Sequence, residues 1–235
     1  MTVCQRFWYD FFKVSAMRGL ERAGGERSTM PLTEYRQKRR FEVTSEPSGE
    51  QLRSRKKATA LRYVIQKHRA SHLHYDFRLE WNGVLLSWAV PKGPSLDPPV
   101  KRLATQVEDH PIEYADFEGV IPPGEYGGGT VMVWDKGAWS PEITDVGEAL
   151  NKGELKFTLN GTKLKGSWVL VRTRGFGRSD RPYWLLIKHR DPFASKRDIT
   201  LEAPRSAVSN RTLAEIARDG GGDIARAATG DPPAA

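Results

Sequence analysis

The chain has 235 residues, 38% hydrophobic and 28% charged, enough for one substantial core but not comfortably for two. Lys and Arg number 37 against 29 Asp and Glu, a formal net charge of +8, which favours a polyanionic partner whose phosphates reward cations through counterion release. The single cysteine, Cys4, excludes an internal disulfide or cysteine-based zinc site, and no run approaches the ~20 apolar residues of a membrane span, so the cytoplasm is the default location.

Residues 1–30 do not blend with the rest of the chain and read as a non-native or disordered extension, with Met30 as an alternative start. The apolar stretch 7–12 contains Asp10, is followed by Lys13 and has no basic leader, which makes it a poor signal peptide. Residues 31–58 form a polar arm, basic at Arg36, Lys38, Arg39 and Arg40 and again at Arg53, Arg55, Lys56 and Lys57. With little to pack a core, this arm is expected to lie on the domain or on a ligand. From 59 to 194 the pattern becomes short strands, at 61–67, 73–81, 84–90, 103–108, 130–135, 154–159, 163–172 and 183–188. Asn82-Gly83 and Asn160-Gly161 have the composition of two-residue hairpin turns, and a short helix is expected between Thr144 and Gly153. Trp81, Trp88, Trp134, Trp139, Trp168 and Trp184 are read as core filling rather than base-stacking platforms. The fold class is therefore mainly β, an eight-stranded barrel whose closure removes exposed edges. Residues 195–235 are expected to hold a short helix near 211–218 and then a disordered Gly-, Ala- and Pro-rich tail.

The chemistry concentrates in 66–80. Alternation along a strand puts His72, His74, Asp76 and Arg78 on one face and Leu73, Tyr75, Phe77 and Leu79 on the other. The apolar face fills the barrel, so the polar face looks outward and the site belongs on the outer surface. Two imidazoles and a carboxylate suit Mn, Zn or Fe(II) better than Mg or Ca, although the spacing leaves His68, His72 and His74 all open as ligands. Arg78 is placed to grip a phosphate through paired hydrogen bonds. A second cluster holds Lys92, Arg102, Glu108, Asp109, His110 and Tyr114. Lys92 sits in the stiff loop Pro91-Lys92-Gly93-Pro94, and His110 can donate to a phosphate or protonate a leaving oxygen. The glycines of 118–129 lack the Lys and Ser/Thr of a nucleotide-cradling loop.

Several phrases in order resemble the 3′-phosphoesterase domain of bacterial DNA ligase D and its stand-alone relatives. They are Gln66-Lys67-His68, Leu73-His74-Tyr75-Asp76-Phe77-Arg78-Leu79-Glu80, Ser87-Trp88-Ala89-Val90-Pro91-Lys92-Gly93-Pro94, Gln106-Val107-Glu108-Asp109-His110-Pro111, Tyr114-Ala115-Asp116-Phe117-Glu118-Gly119 and Val133-Trp134-Asp135-Lys136-Gly137. In the arm, Tyr35-Arg36, Lys38-Arg39, Phe41, Thr44 and Glu46-Pro47 also match, whereas Arg40 replaces the acidic residue the family tends to carry before Phe41. The resemblance implies a barrel with its active site in an outer groove and a manganese-dependent enzyme, other divalent transition metals being alternatives. Such an enzyme removes a 3′-terminal ribonucleoside from DNA or RNA-terminated DNA ends, then the remaining 3′-phosphate. By that likeness His68, His74 and Asp76 are the metal ligands and His72 is a bystander. Arg78, His110 and Tyr114 surround the phosphate, Lys92 and Arg102 serve the monoester step, and Gln66 and Glu108 support them. The chain offers no room for a ligase or polymerase, so a separate ligase, polymerase and end-binding repair proteins are the expected partners, with no membrane. The rival readings are a nuclease without 3′-end preference and a non-catalytic barrel that binds single strands.

Overall fold

The computed structural model of the chain describes residues 32–50, 60–173 and 183–233; the 1–30 extension and the 53–57 basic cluster fall outside them. Ten strands form one antiparallel sheet: β1 (Leu61–Arg69), β2 (Leu73–Trp81), β3 (Val84–Val90), β4 (Arg102–Gln106), β5 (His110–Pro111), β6 (Gly119–Ile121), β7 (Gly129–Pro141), β8 (Glu154–Gly161), β9 (Lys165–Arg172) and β10 (Tyr183–Lys188). Eight of them run in the order β1-β2-β3-β4-β10-β9-β8-β7, and β7 pairs back onto β1, which closes the barrel. The two short strands add at the rim, β5 on β3 and β6 on β7.

The lumen is solid. Tyr75, Phe77 and Leu79 of β2 face inward to meet Trp88, Trp134, Trp139, Trp168 and Trp184, the five tryptophans none more than 1% exposed. Trp134 and Trp139 have opposite parity along β7 yet share this core, because a bulge against Ile65 and Gln66 inserts one residue between them. The tryptophans are core filling, as their strand positions suggest.

Asn82-Gly83 makes the expected tight turn, both residues at positive φ. Asn160-Gly161 does not. Neither residue has positive φ, and the β8–β9 connection runs on to Leu164. The buried Asp135 carboxylate accepts the backbone N–H groups of Lys163 and Leu164 and the Tyr63 hydroxyl, which pulls the longer loop onto the barrel. Gly161 is needed for a different reason: a Cβ there would sit 1.7 Å from the Tyr63 hydroxyl. Between β7 and β8, α2 (Val146–Lys152) is capped by Asp145 and stopped by Gly153 in the left-handed region.

Two segments outside the barrel are more built than their composition suggests. In the arm, α1 (Thr33–Gln37) buries Tyr35 completely in a second apolar cluster with Val64, Leu85, Tyr114 and Val131 on the barrel's outer wall. Beyond β10 lie α3 (Ile199–Glu202), α4 (Leu213–Asp219) and α5 (Ile224–Ala228), where a disordered tail is expected from residue 220. Leu213, Ile216, Ala217 and Ala227 join the main core, and the Asp231 carboxylate accepts the N–H groups of Leu213 and Ala214. Small residues here serve close packing: a Cβ on Gly230 would lie 2.6 Å from Leu213 Cδ1.

Asp231→Ala removes acceptors from the start of α4, so we expect a loss of about 1 kcal/mol in urea unfolding and tryptic cleavage at Arg218 and Arg226. Unchanged resistance to trypsin would contradict docking through this carboxylate.

Candidate metal and phosphate site

β1 and β2 pair in a register that sets His68 opposite His74, Gln66 opposite Asp76 and Val64 opposite Arg78. All of these point away from the lumen. His68 Nδ1 and His74 Nε2 each lie 3.6 Å from Asp76 Oδ2, and one donor atom from each residue falls within 4.8 Å of the others. The second nitrogen of each ring is already committed. His68 Nε2 donates to the Gly127 carbonyl (2.8 Å) and His74 Nδ1 to the His72 carbonyl (3.0 Å). A carbonyl can only accept, so those nitrogens carry protons, and in the neutral rings the inward nitrogens hold the lone pairs. This is the arrangement that orients imidazoles toward a metal. Two nitrogens and one oxygen fit a borderline transition ion better than an all-oxygen-seeking one. His72 itself is exposed, and its carbonyl rather than its ring serves the group.

Burial lowers the His68 pKa. Burial also opposes charge on His74 and Asp76, but is outweighed: Asp76 raises His74, while Arg78 and His74 hold the Asp76 carboxyl well below the usual range.

Arg78 is 2% exposed, with its guanidinium 3.2 Å from Asp76 Oδ2 and 2.9 Å from His110 Nδ1. Its Nε donates to Gln66 Oε1 (2.8 Å), whose amide nitrogen in turn donates to the carbonyls of Tyr114 and Phe117 in the 3-10 turn Ile112–Asp116 and just after it. The Tyr114 ring lies 4.9 Å beneath the Arg78 guanidinium. Gln66 is thus spent on aiming Arg78, and Tyr114 supports it from below.

His110 lies between two arginines, Arg78 2.9 Å from Nδ1 and Arg39 3.3 Å from Nε2, and its Nδ1 donates to the Glu108 carbonyl (2.9 Å). Burial first, then these two cations, push its pKa well below the ordinary value, so the ring is neutral near pH 7. Arg39 comes from the arm and is paired with Glu46 at 2.9 Å; Glu46 also accepts from Thr44 and from the Tyr114 hydroxyl (2.9 Å). Glu108 accepts from Lys38 (3.1 Å) and Arg39 (3.5 Å). The result is one connected path, Glu46–Arg39–His110–Arg78–Asp76, ending at the two histidines.

Arg39 was not among the sequence candidates for the site. The run Lys38-Arg39-Arg40 signals charge without saying which side chain turns inward. In the structure Arg39 is 5% exposed at its side chain and Arg40 65%, the latter ion-paired with Glu125. Lys92 and Arg102 are not brought into this network: Lys92 is exposed, Arg102 is half-buried, and neither bonds to these residues. Lys92 follows the end of β3 and Arg102 opens β4, and the buried Arg102 Nε has no hydrogen-bond partner among the described residues.

Residues 66–172 match the family described as the DNA ligase D 3′-phosphoesterase domain. The multifunctional non-homologous end joining protein LigD of Pseudomonas aeruginosa is 56% identical over 190 residues, 79% of this chain and 22% of that protein. The multifunctional non-homologous end joining DNA repair protein LigD of Mycobacterium tuberculosis is 44% identical over 146 residues, 61% of this chain and 18% of that protein. The chain thus spans about a fifth of the length of these relatives.

Arg39→Met strands a Glu46 side chain that is 0% exposed. We expect a loss of about 3–5 kcal/mol in urea unfolding, partly recovered in Arg39→Met/Glu46→Gln. A loss under about 1 kcal/mol would mark the pair as no more than a surface bridge.

Proposed function

Since the chain carries a domain of the DNA ligase D 3′-phosphoesterase family, we propose that it is a hydrolase that heals 3′ ends for non-homologous end joining. It removes a terminal ribonucleoside by phosphodiester cleavage and then the 3′-phosphate, leaving a 3′-hydroxyl. The observation that carries this reading is the convergence of His68, His74 and Asp76, with both imidazole tautomers fixed, beside the Arg78–His110 pair. The ion we assign to His68, His74 and Asp76 is Mn2+, which supplies Lewis-acid neutralisation of phosphoryl charge and a more acidic water.

The protein's own groups do the rest. Arg78, fixed by Gln66 and Tyr114, presents its guanidinium edge to the phosphoryl oxygens, where it stabilises charge that develops in the transition state. Arg39 approaches the same phosphate from the arm. Ser87 Oγ lies 3.3 Å from His110 Nδ1 but is fully buried and donates to the Leu85 carbonyl, and the Thr44 hydroxyl is spent on Glu46, so water rather than a side chain attacks. His110 is the general acid for the leaving sugar oxygen. It is neutral in the free protein because burial, and after it two facing guanidiniums, disfavours the charged ring. A phosphate anion docked on those arginines offsets their part of the shift, so the ring gains a proton more readily when substrate is bound. Lys92 and Arg102 act at the barrel end on the monoester, whose extra negative charge needs further cations. Glu108 holds Lys38 and Arg39 in place. The substrates are DNA or RNA-terminated DNA 3′ ends, and joining and synthesis fall to a separate ligase and polymerase. Among the described residues no helix is long and apolar enough to cross a membrane.

The test is a 5′-labelled primer–template ending in one ribonucleotide, incubated with manganese, with and without chelator. Loss of the ribonucleoside and then of the phosphate is expected. Cutting of a circular single strand would instead favour a nuclease without end preference, and tight chelator-resistant binding without turnover a binding barrel. Asp76→Ala is expected to abolish both steps and Arg78→Ala to cost about 10²–10³ in kcat. Lys92→Ala is expected to impair phosphate removal more than diester cleavage, and equal losses would refute that division. Because kcat reports bound protein and kcat/KM free protein, the fall in kcat at rising pH should begin at higher pH than that in kcat/KM. Coincident profiles would remove His110 as the acid.

A further inference from the structure

We propose that Arg69 and Arg226 are positioning residues for the metal site, through which the C-terminal helix α5 braces the β1–β2 turn and sets the ring of His74. The inference rests on the reading of His74 as a ligand.

The β1–β2 ladder ends at the Arg69–Leu73 pair, so the carbonyls of the turn have no ladder partners to aim them. Side chains do so instead. The Ala70 carbonyl accepts from Arg69 (3.0 Å) and from Arg226 (2.5 Å). The Ser71 carbonyl accepts from Arg69 (3.0 Å), and the His72 carbonyl accepts Nδ1–H of His74 (3.0 Å). Three successive peptide planes are thus fixed, two by arginines and the third by its bond to the imidazole. Arg69 also donates through Nε to the Thr229 hydroxyl (2.7 Å), which itself donates to the Arg226 carbonyl (2.7 Å). The far end of this segment is tied down by Asp231 at the start of α4. A ring whose outer nitrogen hangs on one carbonyl is only as well aimed as that carbonyl. Ser71 and His72 are exposed, so without the arginines the turn would be free to rotate its peptides toward water.

The experiment is calorimetric titration of the full chain with manganese(II), alongside thermal unfolding, for wild type, His74→Ala, Arg226→Ala, Arg226→Lys and Thr229→Val. His74→Ala should lose binding. Arg226→Ala should weaken manganese affinity roughly tenfold, the low end of the cost of disturbing a ligand's outer partners. Arg226→Lys should recover part of that, since an ammonium can still donate to the Ala70 carbonyl. Thr229→Val should move affinity in the same direction by less. A purely structural contact would lower the melting temperature of Arg226→Ala and leave affinity at the wild-type value, and that result overturns the proposal. If His74→Ala binds manganese as wild type does, the ligand reading fails and the proposal falls with it; loss in His74→Ala with none in Arg226→Ala or Thr229→Val refutes the brace alone.

Discussion

Arg78 and Asp76 are opposite charges on the outward face of a barrel wall, and both are almost wholly withdrawn from water. Removing an ion from solvent costs on the order of several kcal/mol even after relaxation, and a pair recovers this only with good geometry and further hydrogen bonds. Much of what lies over this wall supplies them. Gln66 turns its oxygen to Arg78 because two carbonyls of the 3-10 turn region hold its nitrogen. Tyr114 lies beneath the guanidinium and spends its hydroxyl on Glu46, which anchors Arg39 and so brings the arm across the site. The dependence runs one way: without the roof the pair is solvated and loosely aimed, whereas the roof's own charges, Lys38 and Arg39 against Glu46 and Glu108, are paired among themselves.

The sum of these charges bears on how a ligand can enter. Lys38, Arg39 and Arg78 stand against the buried carboxylates Glu46, Glu108 and Asp76, with the exposed Glu34 as a further partner of Lys38, so the buried part of the network is balanced as it stands. A divalent cation alone would add uncompensated charge beside Arg78, and a phosphate dianion alone would face Asp76. Entering together they leave the sum unchanged. Charge balance would therefore couple a bound cation to a bound phosphate in a site where burial makes imbalance costly.

Alternation over 72–79 revealed the inward and outward faces because a half-buried strand must separate apolar from polar side chains at every step. That was enough to place the polar face outside the barrel, but not to separate His68 from His72. The separation depends on the β1–β2 register, in which His68 pairs with His74 while His72 falls in the turn. Two- and three-residue strands such as β5 and β6 carry no period to read, and they appear only once β3 and β7 offer edges to them. Asn160-Gly161 misled because glycine is used there for proximity to Tyr63 rather than for positive φ. In the tail, composition treats small residues as disorder, whereas Gly230 is small so that Leu213 can approach and Ala227 is buried in the core. Tyr35 and Arg39 were hidden in a polar run for a related reason: one buried ring and one buried cation among exposed charges leave average hydrophobicity unchanged.

Among the described residues the lumen is filled by five buried tryptophans, and the polar cluster lies on the outside of the barrel. An outer wall gives a flat, wet surface, whereas phosphoryl chemistry gains from fixed charges in a low dielectric. The walls and roof of the site must therefore come from chain that is not barrel: the arm over Arg78 and His110, the Gly127 loop behind His68, and α5 behind the turn that carries His72. The strands most legible in the sequence decide whether the molecule folds. The segments that look least like a fold hold the side chains of the site in place, so a substitution there is expected to disturb their aim as well as stability.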